Sequence, residues 1–285
     1  VTAVAEQAVI TEPGVYDIPE AGYHADPVPG GSLSSSGARK LLPPSCPARF
    51  RYEQDHPVHK DVFDFGTAAH RTVLGTGPEI VIVDAGDWRT RAAKEAQAEA
   101  RQAGKCPLLA ADWARVEGMA HALRSHPLAS ALLCRDDVQP EQSLFWQDAD
   151  FGIWRRARLD SVRHGGRLLV SDYKTARSAD PDQFARSVAS YGYHQQAAWY
   201  LDAVLAVLGE RDAVFLFVVQ EKEPPYLVTV CELDFAASQA AHALNRRAME
   251  VYRDCTEAGI WPGYTDDVAL LSLPAWALRE REDWI

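Results

Sequence analysis

Between Trp154 and Tyr200 the chain reads WRRARLDSVRHGGRLLVSDYKTARSADPDQFARSVASYGYHQQAAWY, and this stretch limits the fold more than any other. Two apolar β-type runs flank His164-Gly165-Gly166, the pattern of a hairpin. The first run carries Asp160; the second, RLLVSDYKT, carries Asp172, Tyr173 and Lys174. Side chains alternate along a strand, so Asp172 and Lys174 share a face. Asp160 reaches that face from the neighbouring strand if the register allows. Two carboxylates and a lysine then converge; bare carboxylates at such range repel, and a divalent cation between them is the natural resolution. A helix follows, with Gln196 and Tyr200 four apart and so on one face.

The 285 residues allow one large domain or two small ones. No Gly/Ser-rich linker separates the motifs, so a single domain over 32–285 is expected, preceded by an arm over 1–31. The arm is rich in Pro, Gly and acids and lacks periodicity, which reads as surface packing or partial disorder. No apolar run approaches a membrane span, and the first residues lack the basic region of a secretory signal. Five dispersed cysteines suggest neither a disulfide framework nor a zinc knuckle, and a cytoplasmic setting fits. Net charge is −11, which counts against nucleic-acid binding as a whole-chain property but says little of a local patch. Arg155, Arg156, Arg158, Arg163 and Arg167 surround the proposed centre. Taken singly each is an ordinary strand charge; as a group beside two aspartates they read as a phosphate-facing rim.

Along the chain, Ser34-Ser35-Ser36 offers caps for a short helix stopped by Pro43-Pro44. Asp61 to Gly75 reads as a helix with Phe63, Ala69, Val73 and Leu74 available for burial. It carries His70, which periodicity alone assigns to the core. Helices follow over 89–105, 111–125 and 128–134. Glu141 to Gln147 reads as the first strand of the sheet, with Glu141 as a solvated strand end or a neighbour of the acidic cluster. Asp180 caps a helix with Pro181 at its first position and Gln183 at its third. The helix 193–208 carries Gln196 and Tyr200. Strands are expected over 213–220 and 226–233, and a long helix over 235–258.

The ordered set D…DxK followed by QxxxY resembles the PD-(D/E)XK nuclease superfamily. More narrowly it resembles the RecB-type branch, and within it the RecE-like exodeoxyribonucleases (exonuclease VIII, nuclease domain) of phages and prophages. His70 in FGTAAHRTVLG, the entry segment LSSSGARKLLPPSCPARFRY and the Pro-Trp ending in LSLPAWALREREDWI fit that pattern, from roughly Tyr23 to Trp276. The resemblance implies an α/β fold: a central mixed sheet flanked by helices, with helical N-terminal additions. Cys46 stands where iron–sulfur members of the branch hold a cluster ligand. Only Cys231 and Cys255 follow the nuclease motif, far apart, so no iron–sulfur cluster is expected.

The resemblance implies a nuclease whose metal ligands are Asp160, Asp172, His70 and the Tyr173 carbonyl. Oxygen-rich ligation favours Mg²⁺ or Mn²⁺, two ions per site. Lys174 orients or deprotonates the attacking water, and Gln196 and Tyr200 fix Lys174 or the phosphate. Arg158, Arg156, Ser36 and Arg39 are the DNA-contact candidates. The resemblance also implies 5′→3′ digestion of double-stranded DNA ends, 3′ tails for a single-strand annealing partner, and a ring of three or four copies. The rival readings are a single-strand-specific exonuclease, an endonuclease of the same superfamily, and a non-catalytic DNA-binding module.

Overall fold

The computed structural model describes residues 9–56 and 62–275. Its first elements are β1 (Gly14–Tyr16), α1 (Glu20–His24), β2 (Leu33–Ser34), α2 (Ser35–Lys40), α3 (Pro47–Asp55) and α4 (Val62–Leu74). Next come β3 (Ile80–Val83), α5 (Arg91–Gln102), β4 (Cys106–Leu109), α6 (Ala110–Ser125) and α7 (Pro127–Leu133). The remainder is β5 (Val138–Gln147), β6 (Trp154–Arg163), β7 (Leu169–Ala176), α8 (Pro181–Tyr191), α9 (Tyr193–Leu208), β8 (Val214–Glu221), β9 (Val228–Cys231) and α10 (Phe235–Ala258).

One sheet runs in the order β1-β5-β6-β7-β8-β9, with β2 laid against β6. Strands β5, β6 and β7 are antiparallel neighbours, while β7 and β8 are parallel, so the sheet is mixed. The hairpin between β6 and β7 turns at Gly165 and Gly166, both at positive φ, where glycine carries no Cβ penalty. A parallel pair needs a long crossover, and α8 with α9 supplies it. Asp180 caps α8 as expected, its Oδ1 accepting the Gln183 N–H at 3.0 Å.

Alternation along the strands sorts their side chains between two helical layers. Phe215, Phe217 and Val219 of β8 join the core under α9 and α10, with Trp199, Ala203 and Met249. Val218 and Tyr173 face the other way, packing with Ala69, Met119 and Leu132 of α4, α6 and α7. Each fully buried large side chain contributes about 1.5–3 kcal/mol, which fixes both layers against the sheet.

Three features go beyond the sequence reading. Of the two readings of the N-terminal segment, packing on the body holds for its described part: β1 pairs with β5, Val15 opposite Leu144, and Ile10, Tyr23 and Val28 close a small core around Phe145. Its scattered apolar residues fill a hollow that β5 provides. Residues 1–8 lie outside the described ones. A second, two-stranded parallel sheet, β3 with β4, was not expected. The end of the chain does not return to the body over its described part, where Val268, Leu270 and Leu271 are exposed; Trp276 lies outside the described residues. So do Asp61 and the side chain of Phe63, whereas Ala69, Val73 and Leu74 of α4 are buried as expected.

Candidate active site

The β6–β7 ladder runs Arg163 to Leu169, Val162 to Val170 and Ser161 to Ser171, and stops there. The next residues along the two strands are Asp160 and Asp172. Beyond this point β6 stays with β5 while β7 stays with β8, and the strands part. Asp160 Oδ2 fills the gap by accepting the Tyr173 backbone N–H at 3.0 Å. In a strand one residue's N–H and C=O face the same neighbour, so the Tyr173 carbonyl points to the same gap. Asp160 also marks a slip in alternation: Leu159 and Val162, three apart, both join the core under α9.

On β7 the predicted shared face is present. Lys174 Nζ lies 2.5 Å from Asp172 Oδ2, and Asp172 is 1% exposed. Helix α9 backs this face. Gln196 Nε2 donates to Asp172 Oδ1 at 2.7 Å and to the Tyr200 hydroxyl at 3.1 Å. The pair was expected to fix Lys174 or the phosphate; it fixes Asp172 instead, because Gln196 faces the carboxylate. Lys174 meets a residue the sequence did not single out: Nζ sits 4.9 Å from the centre of the Tyr193 ring, a cation–π contact.

Helix α4 brings His70 to the gap, its Nδ1 3.5 Å from Asp160 Oδ2 and its ring centre 5.1 Å from that of Tyr173. Glu141 of β5 is there as well. One ligating atom each from His70, Glu141 and Asp160 lie within 4.8 Å of one another. Of the two readings of Glu141, the solvated strand end is corrected and the neighbour of the acidic cluster holds. Its signal in the sequence was only that it is an acid on the strand preceding Asp160.

Electrostatics follow from burial and crowding. Burial, and then the Asp172 charge, hold the Asp160 carboxyl well above the usual carboxylate range. Burial and the Lys174 charge push His70 down to about 4, so its imidazole is neutral and able to ligate a metal. Burial pulls the Lys174 ammonium down, but Asp172 and Asp160 together outweigh it and its pKa is raised. Burial also drives the Tyr200 hydroxyl up, keeping it protonated. Asp172 Oδ2 is buried and makes no hydrogen bond, only the Lys174 ion pair. Carboxylate oxygens and one neutral imidazole, with an oxygen left open, fit a hard divalent cation such as Mg²⁺ or Mn²⁺.

The proposed phosphate rim is not there. Arg155 is buried between Trp146 and Trp199, its guanidinium 4.7 and 3.9 Å from their ring centres, and it pairs with Asp148 and Asp202 at 3.0 and 2.9 Å. Arg156 is 4% exposed and bonds Ser32 O and Oγ at 2.6 and 2.8 Å while pairing with Asp26. Arg158 pairs with Glu141 and donates to Ile18 O at 2.9 Å and Ser143 Oγ at 2.6 Å. Arg163 and Arg167 are held by Asp137 and Asp212. Apolar walls and nearby acids turn Arg155, Arg156 and Arg158 inward, whereas Arg163 and Arg167 form ion pairs at the surface. Of the other DNA-contact candidates, Ser36 is exposed on the first turn of α2. Arg39 donates to Tyr191 O and packs on Gly192, where a Cβ would lie 2.6 Å from Arg39 Cδ. Burial pulls the pKa of its guanidinium down, and Asp172 is among the groups that oppose this, so it stands near the site.

Residues 34–274 match the model of a family described as PDDEXK-like domain of unknown function (DUF3799), a span that holds every site residue above. No curated protein sequence matches the chain. Among solved structures it is similar to one described as "Putative exonuclease" from Eubacterium rectale. The TM-score is 0.59 at 13% identity, covering 92% of this chain and 98% of that one; at such identity the likeness is one of fold. The crystal structure of SSO0001 matches at TM-score 0.33 and 12% identity, over 80% of this chain and 76% of that one, too low to bear on the fold.

Proposed function

The chain belongs to the PDDEXK-like domain family, and from that membership we propose that it is a divalent-metal-dependent exodeoxyribonuclease. Its substrate would be the phosphodiester bonds at the ends of linear double-stranded DNA. One observation carries the reading: Asp160, Asp172 and Lys174 converge where β6 and β7 part, with Gln196 bonded to Asp172.

His70, Asp160, Asp172 and the Tyr173 carbonyl would hold Mg²⁺ or Mn²⁺, which supplies Lewis-acid relief of the phosphate charge. Gln196 fixes the direction of Asp172. Tyr200, through Gln196, fixes the amide. Lys174, with its raised pKa, is a cation at neutral pH. It orients the attacking water and offsets charge building on the phosphate. Tyr193 supports its ammonium from below.

The finer reading rests on the RecE-like resemblance. It comprises 5′→3′ polarity, 3′ single-stranded tails passed to an annealing partner during recombination, two ions per site and a ring of three or four copies in the cytoplasm of a bacterial host. Among the described residues no helix is long and apolar enough to cross a membrane.

The test compares a linear duplex bearing 5′ phosphates with the same sequence as a closed circle, in Mg²⁺. Linear DNA is degraded and the circle survives, and Asp172→Asn degrades neither. Cleavage of the circle means an endonuclease, and degradation of single strands alone means a single-strand exonuclease. Failure of the native chain to cleave any DNA in Mg²⁺ or Mn²⁺ rejects the reading.

A further inference from the structure

Glu141 sits in a strand with a backbone that strands do not use. Its φ is +56°, a left-handed conformation costing a non-glycine residue about 1–3 kcal/mol. The β5–β6 register is the same on either side, Pro140 opposite Ser161 and Gln142 opposite Leu159. No residue is inserted; the twist only takes Glu141 and its opposite number, Asp160, out of the ladder. Both carboxylates are thereby freed from strand alternation, and both end beside His70.

Two carboxylates at that range repel. The partner that holds Glu141 is Arg158, itself pinned by Ile18 O and Ser143 Oγ. Lys174 is engaged with Asp172. One arginine thus faces an acidic pair whose second member, Asp160, has a backbone N–H and the His70 imidazole beside it. The arrangement is short of positive charge on the side where His70 offers a nitrogen.

We propose that Glu141 is a metal ligand, forming with His70 and Asp160 a three-donor subsite, and that Arg158 is the positioning residue that holds its carboxylate there. The inference rests on the metal-dependent reading above and adds to it a ligand from outside the D…DxK strands. Two carboxylate oxygens and one imidazole nitrogen suit Mn²⁺ as well as Mg²⁺, because Mn²⁺ is the softer of the two and takes a nitrogen donor more readily.

The experiment is calorimetric titration of Mn²⁺ into the full chain without DNA, beside a metal-free thermal melt. Glu141→Gln keeps an oxygen for Arg158 and removes the charge. Its Mn²⁺ affinity is expected to fall at least about tenfold, with the metal-free melting temperature within a few degrees of native. Arg158→Met should lower the affinity less, and Arg158→Lys should restore part of it. If Glu141→Gln does not melt cooperatively, Glu141→Asp takes its place: the charge stays, the reach shortens, and Mn²⁺ affinity should again fall. Native Mn²⁺ affinity in a folded Glu141 variant overturns the proposal. If the native chain binds Mn²⁺ and cleaves DNA while the variant binds equally well, this ligand alone is rejected. A native chain that binds no Mn²⁺ overturns the metal-dependent reading together with it.

Discussion

Asp160 Oδ2 accepts the Tyr173 backbone N–H at 3.0 Å, and this bond stands where the next rung of the β6–β7 ladder would be. A side chain replaces a backbone partner, so the strands can part without leaving that N–H unsatisfied. The gap that opens is bordered by Asp160, Asp172, Glu141 and His70. Pairing and site are thus decided by the same residue.

Asp160→Asn should abolish metal-dependent cleavage and stabilise the metal-free chain. Burial and Asp172 raise the Asp160 pKa, so its ionised form opposes folding at neutral pH. The amide oxygen still accepts from Tyr173. Each kcal/mol relieved is worth about 2–4 °C in a chain this large. A melt in EDTA checks it; a lower melting temperature than native contradicts the account.

Lys174→Met should slow turnover by about 10²–10³, while DNA affinity measured in Ca²⁺ stays near native. One lost cation changes phosphate binding modestly, whereas losing a group that offsets the developing charge acts on the rate. Lys174→Arg should not restore the rate, since a planar fork does not replace a compact ammonium. Lost DNA affinity with native turnover at saturation would place Lys174 among simple contacts.

Gln196→Leu should weaken Mn²⁺ binding by about 10–100-fold, because it removes the donor that aims Asp172. Tyr200→Phe should cost much less, about 1 kcal/mol of one hydrogen bond, since its hydroxyl acts through Gln196. Calorimetry on both variants orders them. Tyr200→Phe as damaging as Gln196→Leu would give the hydroxyl a direct role.

Arg156→Ala should unfold the protein more readily and not change how it meets DNA. The substitution removes the Asp26 ion pair and the bonds to Ser32 and leaves a buried hole, a cost of about 3–5 kcal/mol. The salt dependence of DNA binding by the folded variant should match native. A reduced salt slope with native stability would return Arg156 to the DNA interface.

What the sequence determined was local. Asp172 and Lys174 are two apart in a strand and Gln196 and Tyr200 four apart in a helix, so each pair shares a face by backbone geometry alone. The family resemblance that their order carries implied a mixed sheet between helices, and the structure has it. Tertiary structure decided the rest. Whether Asp160 reaches Asp172 depended on where the ladder ended. The place of Glu141 depended on one residue at positive φ, which no periodicity announces. The fate of Arg155 and Arg156 depended on Trp146, Trp199 and Asp26, contributed by β5, α9 and the N-terminal segment. A strand fixes which side of the sheet a charge takes; it does not fix whether water, an aromatic wall or an acid lies on that side. That is set by segments far away in sequence, and their arrival turned an expected DNA-facing rim into internal ties.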